Sequence, residues 1–211
     1  MSEPVYGVFL LPDAATSAAI SSITFSVERQ FGLVSAGRFP PHATLAGSVP
    51  ITAPPERVAD SLDPVLDQRA AFDVYNRGIA RHGRAVAYDI DTLPDGSTNL
   101  ALHRLAVDVN RALAPLAHQI DATLVSPFAA DRFRAHLSLA SHELSTDPAI
   151  AADVEAFIRE VPAPAPAEHF TARRVALYSF TSDCWGGAWW RSLAWERIRT
   201  WSLREQPAQG A

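Results

Sequence analysis

Two short stretches of the chain carry the same chemistry in the same order: Phe39-Pro40-Pro41-His42-Ala43-Thr44-Leu45-Ala46 and Phe133-Arg134-Ala135-His136-Leu137-Ser138-Leu139-Ala140. In each, an imidazole precedes a hydroxyl by two positions. A neutral imidazole can take a proton, a charged one can give it back, and a hydroxyl can donate a hydrogen bond to an oxygen on which charge develops. Two such sets facing one another suit in-line displacement at phosphorus. One imidazole would activate the nucleophile and the other would protonate the departing oxygen on the opposite side. A single His-x-Ser/Thr carries little weight, because a histidine on a strand is usually a satisfied structural residue. The weight comes from the match: an offset of 94 residues aligns Phe39, His42, Leu45 and Ala46 with identical residues and Thr44 with Ser138.

Both stretches read as strands, the first introduced by prolines, which strands tolerate at their beginnings and edges. Side chains two apart on a strand share a face, so His42 and Thr44 point one way while Ala43 and Leu45 point the other. His136 and Ser138 repeat the pattern against Leu137 and Leu139. Around them, Val5-Tyr6-Gly7-Val8-Phe9-Leu10-Leu11 predicts a buried strand, stopped by Pro12 and followed by a helix with Ile20, Ile23, Val27 and Phe31 on one face. Residues 55–69 read as a helix that Pro64 shortens or breaks. The runs 71–80 and 85–91 flank Arg81-His82-Gly83-Arg84 as a hairpin. A third helix carries Leu102, Leu105, Val109, Leu113 and Leu116. A fourth follows the Asp147-Pro148 cap with Ile150, Val154 and Phe157 on one face. After the proline connector 162–166, residues 168–180 and 188–196 read as a closing hairpin. Residues 13–91 and 99–196 thus give one order twice: helix, histidine strand, helix, two paired strands. This predicts an internal duplication within a single bilobal domain over 1–196, with 197–211 as a C-terminal extension. A repeat that appears only twice and is this long makes two lobes, not a solenoid.

Composition narrows the partners. The 211 residues include 18 basic side chains, every one Arg, against 23 acidic ones, a formal net charge of -5. A clamp for duplex nucleic acid needs the opposite balance, whereas one phosphate ester in a local pocket needs only a few donors. Charged residues make up 19% and hydrophobic ones 48%, which excludes a disordered chain, and no apolar run approaches a membrane span. Cys184 is alone, so neither an internal disulfide nor a cysteine-rich zinc site is expected. The N-terminal region lacks the basic start of a signal peptide, and cytoplasmic residence is expected.

The tetrads His42-Ala43-Thr44-Leu45 and His136-Leu137-Ser138-Leu139 resemble the signature of the two-histidine phosphoesterases, which include the cyclic phosphodiesterases and the 2′-5′ RNA ligase-like proteins. Val5 to Pro12, Pro41-His42, the tract from His136 to Glu143 and the terminal hairpin over 176–195 resemble the plant and fungal cyclic phosphodiesterases within that superfamily. The resemblance implies an α+β fold, bilobal, with two antiparallel sheets facing a central cleft and helices on the outside. It implies a monomeric hydrolase, independent of metal and cofactor, that opens a 2′,3′-cyclic nucleotide or ADP-ribose 1″,2″-cyclic phosphate to a phosphomonoester. It further implies His136 as the base that activates water and His42 as the acid. The alternatives on the same fold are processing of a short RNA end, 2′-5′ RNA ligase-like chemistry, or a non-catalytic nucleotide-binding module.

Other residues are placed less firmly by pattern. Arg134 lies two before His136 and would share its face, where it could contact phosphate; a solvated or ion-paired role fits it equally well. Trp185, in the loop Ser182-Asp183-Cys184-Trp185-Gly186-Gly187, is the preferred stacking wall for a base. Core packing is the better reading for most of Tyr6, Tyr178, Trp189 and Trp190. His82, His103, His118 and His169 read as structural or surface residues. His142, six after His136, would permit a metal pair, but neither a His-Glu-x-x-His helix nor a carboxylate cluster supports zinc.

Overall fold

The structure, a computed structural model, describes residues 5–83, 85–117, 128–185 and 187–205. Strand β1 (Val5–Leu11) leads into helix α1 (Ala14–Phe31), which starts where the Asp13 carboxylate accepts the Thr16 N–H at 2.8 Å and ends at Gly32, left-handed at φ 71°. Strand β2 (Ala43–Pro50) and helix α2 (Pro55–Leu66) follow. Pro64 does not break α2. It stands in the last turn, where its missing N–H removes one bond from a ladder about to stop.

The run expected as one strand over 71–80 is two. Strand β3 (Phe72–Tyr75) turns off at Asn76, whose side chain accepts the Gly78 N–H at 2.9 Å, and Gly78 takes φ 92°. Strands β4 (Ile79–His82) and β5 (Ala85–Asp89) then make the expected hairpin around Gly83, whose φ of 61° needs no Cβ to be accommodated. Helix α3 (Leu100–Leu113) is capped by Asn99. After it come strand β6 (His136–Ala140), the short helix α4 (Glu143–Thr146), helix α5 (Ala151–Glu160), and strands β7 (His169–Ala172), β8 (Arg174–Thr181) and β9 (Ala194–Ser202). The two histidine segments become strand only at Ala43 and His136, later than the sequence pattern predicts.

The fold is α+β. Seven antiparallel strands lie in the order β4-β5-β6-β2-β1-β8-β9, and β3 pairs with β7 in a separate two-stranded sheet. The two sheets expected around the cleft are halves of this one sheet, joined where β2 meets β6 through the pair Ala43↔Leu137. The hairpins are exchanged: β4–β5, which follows the first histidine strand, pairs with the second, while β8–β9, which follows the second, pairs with β1 beside the first. The helices are exchanged likewise, α1 packing on β6 and α3 on β2. The helices cover one face, where Ala43, Leu45, Leu137 and Leu139 are buried in the main core. Among the described residues no helix is long and apolar enough to cross a membrane.

The boundary expected at 196 falls inside β9, which runs to Ser202. Trp201 and Leu203 are each 5% exposed in the main core, and the Trp201 indole N–H donates to Asp63 at 2.8 Å. Residues 197–205 therefore belong to the fold, while 206–211 lie outside the described residues. Trp201→Ala should cost about 3–5 kcal/mol of stability by leaving a cavity under β8 and β9. Urea denaturation checks this; a loss below about 1 kcal/mol would mean that β9 is peripheral.

Candidate active site

The register at Ala43↔Leu137 decides what faces what. Carried one residue either way, it sets His42 beside Ser138 and Thr44 beside His136, all four on the face opposite the helices. Each imidazole thus neighbours the other strand's hydroxyl, and a local two-fold passes through the joint. The rings are held alike. His42 Nδ1 lies 2.8 Å from the Pro40 carbonyl oxygen and His136 Nδ1 lies 2.9 Å from that of Arg134. A carbonyl only accepts, so Nδ1 carries the proton in both rings, and each neutral ring keeps its lone pair on Nε2.

All four side chains line one cavity of about 550 Å³. Its wall on the β1 side is aromatic, with Phe9, Phe39, Phe180, Trp185 and Trp189. Hydroxyls from Ser35, Ser48, Ser141 and Ser145 line other parts of it. Among the described residues no arginine and no carboxylate lines it. The wall is fastened from behind by Glu143, which accepts the Val34 and Ser35 N–H groups at 2.7 Å each and the Ser35 hydroxyl. Ser35 Oγ also lies 3.1 Å from Ser141 Oγ, tying the loop after α1 to the corner after β6.

The two imidazoles have different surroundings. His42 stands edge-on between Phe9, 4.5 Å away between ring centres, and Phe39, 4.7 Å away. This burial pushes its pKa down to about 4; the Pro40 carbonyl opposes the shift and charge on His136 adds to it. His42 is neutral at pH 7 in the free protein. His136 instead stacks on His82, 4.7 Å away and 20° from parallel. The His82 pKa is lowered by burial first and by His136 next, against the pull of Asp89 and Asp91. Two stacked imidazoles do not readily carry charge together, and burial disfavours charge on His82.

The cavity gathers His42, Thr44, His136, Ser138 and Trp185, all singled out by sequence. The Trp185 indole nitrogen is buried without a hydrogen-bond partner among the described residues. Arg134 is not part of the cavity lining. Strand β6 begins only at His136, so the alternation that would align Arg134 with it does not hold, and its guanidinium donates to the Asp131 and Phe133 carbonyls at 3.1 and 2.6 Å. Its contribution is its own carbonyl, which holds His136. His82, read from sequence as structural or surface, lines the cavity. The hairpin containing it was legible, but its pairing with β6, which turns residues 80, 82, 85 and 87 toward the cleft, was not. His103 is structural: it pairs with Asp91 at 2.7 Å, and Asp91 accepts the Ala135 N–H at 2.9 Å, fixing the chain just before His136. His169 stacks on Tyr75, and His118 lies outside the described residues. His142 lines the cavity and packs on Trp189; among the described residues no three His, Cys, Asp or Glu gather as a metal site.

No family model matches the chain, and neither does any curated protein sequence. Solved structures do match in fold. LigT of E. coli, solved with ATP, superimposes with a TM-score of 0.52 and 17% identity over 96% of this chain and 99% of that one. TT0787 of Thermus thermophilus gives 0.55 and 16% over 96% and 100%. The chain shares the fold of both over nearly its whole length. LigT has also been solved with 3′-AMP and with NADP+.

Because the folded His42 ring binds its proton less readily than the unfolded ring, the unfolded chain protonates first as pH falls. Stability should therefore drop between the ordinary histidine pKa near 6.5 and about 4. Histidine-resolved NMR should find His42 titrating near pH 4 and Phe39→Ala moving it upward; titration near 6.5 in the native chain would mean that the aromatic wall leaves the ring hydrated.

Proposed function

We propose that the chain is a cyclic phosphodiesterase that opens a 2′,3′-cyclic nucleotide, or a related cyclic phosphate, to a phosphomonoester. One observation carries the reading: two imidazoles, each with Nδ1–H tied to the carbonyl two residues back, share one cavity with two hydroxyls on the same sheet face. Nε2 of each ring is thereby available for proton transfer, one on each side of a phosphorus between them.

The resemblance implies that His136 takes the water proton. The surroundings of the rings favour the opposite. His42, neutral at pH 7 among Phe9 and Phe39, is the ring ready to accept a proton. On this reading water loses its proton to His42 Nε2 as its oxygen bonds to phosphorus. The bond from phosphorus to the leaving ribose oxygen breaks in line, and that oxygen takes the proton of His136 Nε2. Thr44 and Ser138 donate to the non-bridging oxygens, whose charge grows in the transition state. Both proton transfers and the anion contacts are filled by side chains of this chain.

Turnover of a panel of cyclic phosphates in EDTA, resolved by phosphorus NMR, tests the activity. His42→Ala and His136→Ala should each lower it by a factor on the order of 10² to 10⁴. Thr44→Ala and Ser138→Ala should cost about 1.5–3 kcal/mol in the barrier for every substrate. Near-native rates in either histidine variant would sink the mechanism. A nitrophenyl phosphodiester separates the roles, because its weakly basic leaving oxygen needs little acid. Loss of His136 should be largely forgiven there and loss of His42 should not; the reverse would return the base to His136.

A further inference from the structure

Strand β2 does not run straight past the site. Its register against β1 slips between the pairs Phe9↔Thr44 and Val8↔Ala46 and again between Val8↔Ala46 and Tyr6↔Val49, so that β2 gains one residue at each step. Gly47 and Ser48 fall within the second step, and both line the cavity. Ser48 stands at φ 51°, the one non-glycine residue in the left-handed region among the described residues. A glycine would relieve that position. Instead the glycine stands one residue earlier, at a φ outside the left-handed region. Glycine weakens a strand, having no side chain to pack and the most backbone freedom to lose, so its presence at 47 calls for a reason other than conformation.

The reason is space for Thr44. A Cβ at position 47 would lie 3.1 Å from the Thr44 methyl carbon Cγ2, inside the distance at which two carbons pack. Apart from the adjoining residues of the chain, no other described atom lies within 4 Å of that point. The two histidine segments supply a comparison within one molecule, because the offset that aligns Thr44 with Ser138 also aligns Gly47 with Ser141. Where the hydroxyl residue carries a methyl, the residue three later has no Cβ; where the methyl is missing, the residue three later has one. A threonine Cβ bears methyl and hydroxyl in fixed chirality and is stiff at χ1, so seating the methyl against Gly47 settles where the hydroxyl stands.

We infer that Gly47 is a positioning residue: the gap it leaves seats the Thr44 methyl, and the seated methyl holds the Thr44 hydroxyl in the orientation that serves the phosphoryl oxygen. The inference rests on reading the cavity as a phosphodiester site. Gly47 itself touches no reacting atom and acts through Thr44. A hydroxyl fixed before substrate arrives has no rotamer freedom left to lose as charge develops on the oxygen it serves, so its hydrogen bond tells most in the transition state. A methyl pushed off its seat would carry the hydroxyl to another staggered position, about 120° away.

The test is a double-mutant cycle on the full chain: native protein, Gly47→Ala, Thr44→Ser, and the two changes together. Gly47→Ala should lower kcat for 2′,3′-cyclic AMP by about tenfold and leave KM within about twofold, because the misplaced contact is one made in the transition state. Whatever Thr44→Ser costs by itself, adding Gly47→Ala to it should change kcat by less than about twofold, since no methyl is left to displace. Three-bond carbon couplings to the Thr44 methyl, read by NMR, should report a single χ1 rotamer in the native chain and a different or averaged one in Gly47→Ala. That readout needs no turnover, so it stands even if no cyclic phosphate is hydrolysed. The cycle is then read on affinity for inorganic phosphate, which Gly47→Ala should weaken by about threefold in the native background and leave unchanged in the Thr44→Ser background. Averaged couplings in the native chain would overturn the inference, because no rotamer would then be held. So would a loss of equal size in both backgrounds, which would mean that Gly47 acts through the backbone and not through the Thr44 methyl.

Discussion

The site depends on a single backbone pairing, Ala43 with Leu137, where two strands otherwise committed to different neighbours touch. Antiparallel pairing at that point makes the arrangement two-fold and sets each imidazole across from the other strand's hydroxyl. A slip of one residue would turn His42 and Thr44 into the core and bring Ala43 and Leu45 out. The burial of Leu45, Leu137 and Leu139 resists that slip, so the hydrophobic core fixes the register that the chemistry needs. The exchange of hairpins and helices serves the same end. Because β5 flanks β6 and β1 flanks β2, each half is completed by elements from the other, and the joint cannot open without breaking both.

The scaffold is symmetric in pattern and asymmetric in environment, and the asymmetry starts from matched residues. Phe39 and Phe133 occupy equivalent places in the two segments. Phe39 packs against the His42 ring, whereas Phe133 turns away to His103, 4.9 Å off. His136 is left to stack on His82, with Asp89 as its partner in the strand register. His42 is thereby enclosed by two phenyl rings, while His136 lies against a second imidazole. The opposite tasks proposed for these two chemically identical groups require different surroundings, and here a difference is which way a phenylalanine points.

Much of this was readable in the residues and some was not, for physical reasons. The paired motifs, the faces of His42, Thr44, His136 and Ser138 and the hairpin around Gly83 follow from local pattern, in which period and turn chemistry speak directly, while the α+β class came from the resemblance that the paired motifs carry. The division of 71–80 into β3 and β4 hinged on Asn76 and Gly78 acting as a turn within an apolar run. His82 in the cavity depends on which strand its hairpin joins, and pairing partners leave no mark in a single sequence. The end of β9 was hidden because Glu196 to Arg199 reads as a polar tail until Trp201 is seen to be buried against Asp63. Arg134 shows the limit of strand alternation: a rule about faces holds only where the strand has begun.

The sorting of charge follows from the same geometry. Among the described residues the cavity wall offers neither guanidinium nor carboxylate, so positive charge at its centre is limited to protons carried by imidazoles. A cyclic phosphodiester bears one negative charge, which one imidazolium can balance. Its phosphomonoester product carries close to two at neutral pH. With no arginine fixed at the centre, the proton that His42 has taken from water on the proposed mechanism is the one positive charge left beside the product; once the product and His42 have both lost their protons, the doubly charged product meets no matching cation and is held less firmly than the substrate.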